Sequence, residues 1–125
     1  MDLLLSGSSG VPYYQQIVTQ VKQLVVAGAL EEGEMLPSIR QLARDLRVSV
    51  ITTKRAYEEL EQAGFLTAVA GKGFFVGAPD LTVLQEEHRI RAEELLRRGV
   101  GEARLGNLTL EQLQELMQFF YREDQ

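Results

Sequence analysis

A chain of 125 residues is long enough for one domain, or one small domain with a short appendage, and excludes two large ones. It holds no cysteine, which removes disulfides and thiolate metal sites, fits a reduced compartment and makes a cytoplasmic location the expectation. The net charge of -5 argues against a partner that simply wants a polycation, but the charge is unevenly spread. From Leu36 to Tyr57 five basic residues stand against one acidic residue, whereas Asp80 to Gln125 holds ten acidic and six basic. Charge alone leaves two readings of the basic stretch, a solvated helix face or a face that touches an anion.

The N-terminal MDLLLSGSSG has too short an apolar run for a signal peptide or a membrane span, so no membrane partner is expected. Met1 to Leu5 reads as a short strand ended by SGSSG. A first helix is predicted from about Pro12 to about Gly28, with Tyr14, Ile17, Val18, Val21, Leu24 and Val25 at helical spacing as its core face. EEGEM reads as a loop. It leads to LPSIRQLARDL, where Ser38 and Gln41 form the S-x-x-Q pattern of a capping box and Ile39, Leu42, Ala43 and Leu46 make the apolar stripe of a short helix of about nine residues.

Arg47, Val48 and Ser49 then form a tight turn, with Ser49 as N-cap of the next helix. That helix opens on Val50, Ile51, Thr52 and Thr53, four β-branched residues that lose side-chain freedom in a helix. On the helical wheel Thr53, Ala56, Tyr57, Leu60 and Ala63 gather on the core side, and Ile51, Lys54, Arg55, Glu58 and Gln62 on the other. Gly64 is placed for a left-handed cap, with Phe65 packing back on Leu60. FLTAVAGKGFFVG reads as a β-hairpin with a basic Gly71-Lys72-Gly73 tip.

After Pro79, LTVLQEEHRIRAEELLRRG is predicted helical, with Leu81, Leu84, His88, Arg91 and Leu95 in one stripe, and GVGEARLGN is expected to be a glycine-broken loop. A last helix starts at a second capping box, Thr109 and Gln112, and carries Leu110, Leu113, Leu116, Met117, Phe120 and Tyr121 on one side.

Two short helices joined by a three-residue turn, the second with a basic outer face, make a helix-turn-helix, which places the start of the second helix in the major groove of double-stranded DNA. Residues there are selected for contact over helix propensity. Ser49 and Thr52 can hydrogen-bond a phosphate or base, and Ile51, with Val50, can meet thymine methyl groups. Val50 has an alternative role as a staple on the preceding turn. Lys54 and Arg55 are placed for phosphate or guanine, and Arg40 for the adjacent backbone or groove. Arg44 and Arg47 read as solvated or phosphate-facing. Lys72 and Gly73 are either an ordinary turn or a wing that enters the minor groove.

From Leu36 to Val76 the residues resemble the N-terminal winged-helix domain of the GntR family of transcription regulators. The family pattern of LPS-x-R-x-LA, V-S, R-A-hydrophobic-x-E-L-E-x-x-G and G-x-G-x-F-V falls on Leu36-Pro37-Ser38, Arg40, Leu42-Ala43, Val48-Ser49, Arg55-Ala56-Tyr57, Glu59-Leu60-Glu61, Gly64, Gly71-Lys72-Gly73 and Phe75-Val76. The likeness covers about residues 11 to 78 and implies a mainly α fold, a winged helix-turn-helix (helix pair about 39–58, wing about 66–77) in residues 1–78 with a helical dimerisation tail in 79–125.

The roughly 46 residues of tail are similar to those of the short YtrA-like subfamily, whose members often control operons for ABC transporters. The resemblance implies a homodimeric repressor on a palindromic operator. Leu81, Leu84, His88, Leu95, Leu113, Leu116, Met117 and Phe120 are the expected dimer contacts, because two helices cannot bury both stripes by themselves.

Three positions depart from the pattern. Val50 stands where many members have an arginine that reads a base, Arg47 where glycine is common, and Phe74 where a small polar residue is usual. A winged helix that binds protein without binding DNA is the competing reading, and it predicts a dispensable basic face. An enzyme is not expected: His88 has no cysteine or second histidine beside it, and Glu86, Glu87, Glu93 and Glu94 read as a solvated face. No cofactor or metal is expected, and no polar cluster identifies a small-molecule effector.

Overall fold

The computed structural model describes residues 1–123; Asp124 and Gln125, the end of the expected tail, lie outside the described residues. The elements are α1 (Tyr13–Val26), α2 (Ile39–Leu46), α3 (Val50–Gln62), β1 (Leu66–Val69), β2 (Gly73–Val76), α4 (Leu81–Leu105) and α5 (Leu110–Glu123). This is the predicted order of three helices, hairpin and two helices. Two compact units divide the chain, Met1–Leu81 and the residues from Thr82 onwards.

The core of the first unit follows the helical periodicities. Ile17, Val18 and Val21 of α1 and Leu42 and Ala43 of α2 are buried, as are Thr53, Ala56, Tyr57 and Leu60 of α3, with Phe65, Leu66 and Val76 of the hairpin region. Each large apolar side chain so buried stabilises the fold by roughly 1.5–3 kcal/mol. Ala63 is exposed, against expectation, because it is the C-cap of α3, where the last turn has left the core. The helix stops as predicted: Gly64 has φ +83° and donates to the Glu61 carbonyl, and the Phe65 N–H donates to the Leu60 carbonyl.

β1 and β2 pair antiparallel with Leu66 opposite Val76 and Val69 opposite Gly73. The turn between them has Gly71 at φ +76° and closes through Lys72 N–H to Val69 O at 2.9 Å. EEGEM is a loop, but its end also pairs with the hairpin. Met35 bridges Phe75, Leu36 N–H donates to Phe74 O at 2.9 Å, and Val76 N–H donates to Glu34 O at 2.8 Å. The hairpin is thereby tied to the segment that enters α2.

The expected N-terminal strand is absent. The backbone of residues 4–11 is held instead by two glutamines of α1. Gln20 accepts from Leu4 N–H at 2.9 Å and donates to Leu4 O at 2.7 Å, and Gln16 accepts from Ser6 N–H and donates to the Ser6 and Val11 carbonyls. A primary amide offers the same donor and acceptor as a peptide unit, so it substitutes for a neighbouring strand. Helix α1 itself starts at Tyr13, with Pro12 as N-cap.

In the second unit the expected break at GVGEARLGN does not occur, and α4 runs unbroken through Gly99 and Gly101. Each glycine costs roughly 1 kcal/mol against alanine but does not by itself end a helix. The end comes at Asn107, with φ +57°, where the Asn107 and Leu108 N–H groups donate to the Arg104 and Ala103 carbonyls. Both arms of the second capping box form, Gln112 N–H to Thr109 Oγ1 at 3.1 Å and Thr109 N–H to Gln112 Oε1 at 2.8 Å. The polar side of α4 carries an ion ladder in which Arg89 joins Glu86 and Glu93, and Arg97 joins Glu93. These bonds with Arg89 lower the Glu86 pKa and raise that of Arg89. Of the apolar stripes of α4 and α5, Ala103 alone is buried among the described residues.

Candidate nucleic-acid interface

The helix pair is defined by its caps. Ser38 Oγ accepts from Gln41 N–H at 3.1 Å and starts α2. The reciprocal arm of this capping box does not form, because the Gln41 amide donates to Asp45 Oδ1 at 2.7 Å instead. Arg47 ends α2 in the left-handed region, φ 57° and ψ 43°, with Arg47 N–H on Arg44 O and Val48 N–H on Ala43 O. A left-handed position that glycine would occupy without strain is therefore held here by an arginine.

Ser49 caps α3 and explains two of the four β-branched residues. Its Oγ accepts from Thr52 N–H at 3.0 Å and donates to Thr52 Oγ1 at 2.8 Å. Thr53 is fully buried, and its hydroxyl donates to Ser49 O at 3.2 Å. Val50 and Ile51 have no such engagement: they are 47% and 81% exposed at the leading turn of the helix.

Beside that turn lies a shallow depression lined by Arg40, Ala43, Arg44, Arg47, Val48 and Val50. Three arginines and no acidic residue line it, which suits an anion. Arg44 and Arg47, expected as solvated or phosphate-facing, thus join Arg40. Val50 contributes to the same wall.

Lys54 and Arg55, one turn further on, differ in freedom. Lys54 is exposed and lies 3.9 Å from Glu58, an ion pair too open to water to hold it firmly. The Arg55 guanidinium lies 3.7 Å from the centroid of the Tyr14 ring, fixing the outer face of α3 to α1. Periodicity alone assigns Tyr14 to the core; its alignment with Arg55 depends on how two helices cross.

Tyr57 links α3 to the rest of the site. Its buried hydroxyl donates to Pro37 O at 2.7 Å, and its ring meets Phe74 edge-on at 4.9 Å. Burial pushes its phenol pKa up. Phe74, the departure next to the wing tip, is therefore a packing residue that joins β2 to α3. Lys72 is exposed at the tip, while Gly73 begins β2 with φ +123°, which a side chain would strain. The tail stripe is also exposed: Leu81, Leu95, Leu116, Met117 and Phe120 all face outward, with Leu84 and Leu113 half-buried and His88 exposed.

Among the described residues no group of three or more His, Cys, Asp or Glu side chains is placed to hold a metal, and no helix is long and apolar enough to cross a membrane. Residues 13–76 match the profile of a family described as bacterial regulatory proteins, gntR family. The chain is similar to the HTH-type transcriptional repressor YtrA of Bacillus subtilis strain 168, at 33% identity over 86% of this chain and 82% of YtrA. Its fold is similar to that of a transcriptional antiterminator from Listeria monocytogenes EGD-e, with TM-score 0.72 and 28% identity over 97% of this chain and 90% of that one. It is also similar to AraR(DBD) solved in complex with operator ORX1, with TM-score 0.54 and 25% identity over 62% of this chain and 96% of that one.

Proposed function

The chain belongs to the GntR family of bacterial regulatory proteins, and from that premise we propose that it is a homodimeric repressor that reads a palindromic operator. The observation that carries the reading is the arginine-lined depression beside the exposed leading turn of α3. In this reading Arg40, Arg44 and Arg47 take phosphates, Ser49, Val50, Ile51 and Thr52 face base edges, and Lys54 lies against phosphate or guanine. Arg55 presents its free N–H edge while its face stays on Tyr14. Lys72 and Gly73 bring the wing to the minor groove. The relative AraR was crystallised on an operator, which supports DNA as the ligand.

Residues 1–78 act as the DNA-binding domain and 79–125 as the dimerisation tail. Leu81, Leu84, His88, Leu95, Leu113, Leu116, Met117 and Phe120 meet their counterparts in the second subunit. A two-fold dimer matches a palindrome, with half-sites about one helical turn, roughly 34–36 Å, apart. The protein works in the cytoplasm, and the resemblance to YtrA-like regulators extends the proposal to an operon for an ABC transporter.

The test is a titration on its own promoter DNA across a salt series, with Arg40→Ala and Lys54→Ala alongside. Weaker binding by both variants is expected, with a salt slope shallower by about 0.9 for each phosphate no longer neutralised. Binding without a salt slope, or unaffected by either change, refutes the footprint.

A further inference from the structure

We infer that the leading turn of α3 reads the C5-methyl group of a pyrimidine, so that each operator half-site carries a thymine or a 5-methylcytosine under Ile51. This rests on the operator reading above and specifies what that reading leaves open. The polar groups of the turn are largely engaged with one another, and the Thr52 hydroxyl keeps its own hydrogen. Ser49 Oγ is closed onto the Thr52 N–H and hydroxyl, the Thr53 hydroxyl is buried on Ser49 O, and the Arg55 face is on Tyr14. What the turn offers outward is the side chain of Ile51, four-fifths exposed, flanked by Val50.

Neither residue can make the bidentate hydrogen bonds by which arginine reads guanine or asparagine and glutamine read adenine. The apolar feature that a base edge presents in the major groove is the C5-methyl of thymine, which 5-methylcytosine shares. The arginine-lined depression that Val50 borders suits a polyanionic surface opposite, which favours a nucleic acid over an apolar protein partner for the same turn. The Thr52 hydroxyl, which accepts from Ser49, retains its own hydrogen for thymine O4 and a second lone pair for the cytosine amine, so it suits either source of the methyl group.

The experiment uses the full chain and a duplex selected by it from a random pool, with each thymine then replaced singly by deoxyuridine, which removes the methyl and nothing else. The expected result is one thymine per half-site whose replacement weakens binding about 4-fold, the worth of one buried methyl group. In Ile51→Ala, a change at an exposed position, the same replacement has no effect. Substituting 5-methylcytosine and cytosine at that site separates the sources: recovery by 5-methylcytosine assigns readout to the methyl alone, and equal loss with both assigns it to thymine with its O4. If every deoxyuridine duplex binds like the parent, or Ile51→Ala keeps the discrimination, the methyl inference falls while operator binding stands. If no sequence is enriched from the pool, the operator reading itself falls.

Discussion

Replacing Arg47 by glycine separates stability from binding at a single residue. Arg47 sits at φ 57° and ψ 43°, where an L-residue pays roughly 1–2 kcal/mol and glycine does not. Glycine in turn loses about 0.4–1 kcal/mol through the greater freedom of the unfolded chain. The side chain is exposed, so no packing is removed, and the net expectation is a gain of about 0.5–1 kcal/mol. For a domain of this size that raises Tm by about 2–8 °C. The same change takes one of three guanidinium groups from the depression beside α3, so operator affinity should fall and the salt slope should shrink by about 0.9. Thermal unfolding by circular dichroism gives the first quantity and a fluorescence titration at several salt concentrations the second. A lower Tm refutes the account of the left-handed turn. A higher Tm with an unchanged salt slope removes Arg47 from the interface.

Tyr57→Phe deletes the hydrogen bond to Pro37 O and leaves a carbonyl without that partner, so a loss of about 1–3 kcal/mol is expected in denaturant unfolding. Because burial raises the Tyr57 pKa above its ordinary 10.0, its contribution is fully present below about pH 10 and declines as the pH climbs above that. The wild-type chain should therefore lose stability between neutral pH and pH 11 more steeply than Tyr57→Phe does, and equal slopes would remove Tyr57 as the cause. In α4, Gly99→Ala with Gly101→Ala should stabilise the helix by about 1 kcal/mol each, since an added Cβ meets nothing within 4 Å at either position. A drop in helicity by circular dichroism would show that those glycines serve a bend or a contact in the assembly.

What the sequence made legible was mostly local. The Ser49 cap, the Gly64 and Phe65 stop, and the Thr109 and Gln112 box each depend on residues within five positions of one another, and each forms as expected. The exposure of Ile51 could be foreseen because a residue in the middle of a polar helix face has no core to enter. The misses needed partners distant in sequence or a balance of small terms. Gln16 and Gln20 replace a strand by side-chain bonds that no periodicity encodes. Gly99 and Gly101 lower helix propensity without overcoming the good helix formers around them, and the second Ser38 arm lost to a competing carboxylate at Asp45. The Arg55 stack on Tyr14 and the Met35 bridge to Phe75 arise from how separate elements meet. Alternation gave no hint of the last, because Met35 and Leu36 are both apolar, and the fold alone leaves the first exposed and buries the second.

The central claim, that two copies of α3 read one operator, is tested most directly by hydroxyl-radical footprinting of the full chain on its selected duplex. Two protected patches on one face of the DNA, centred about 10–10.5 base pairs or a whole multiple apart and related by the palindrome, are predicted. A single patch, or patches out of phase with the helical repeat, would contradict it.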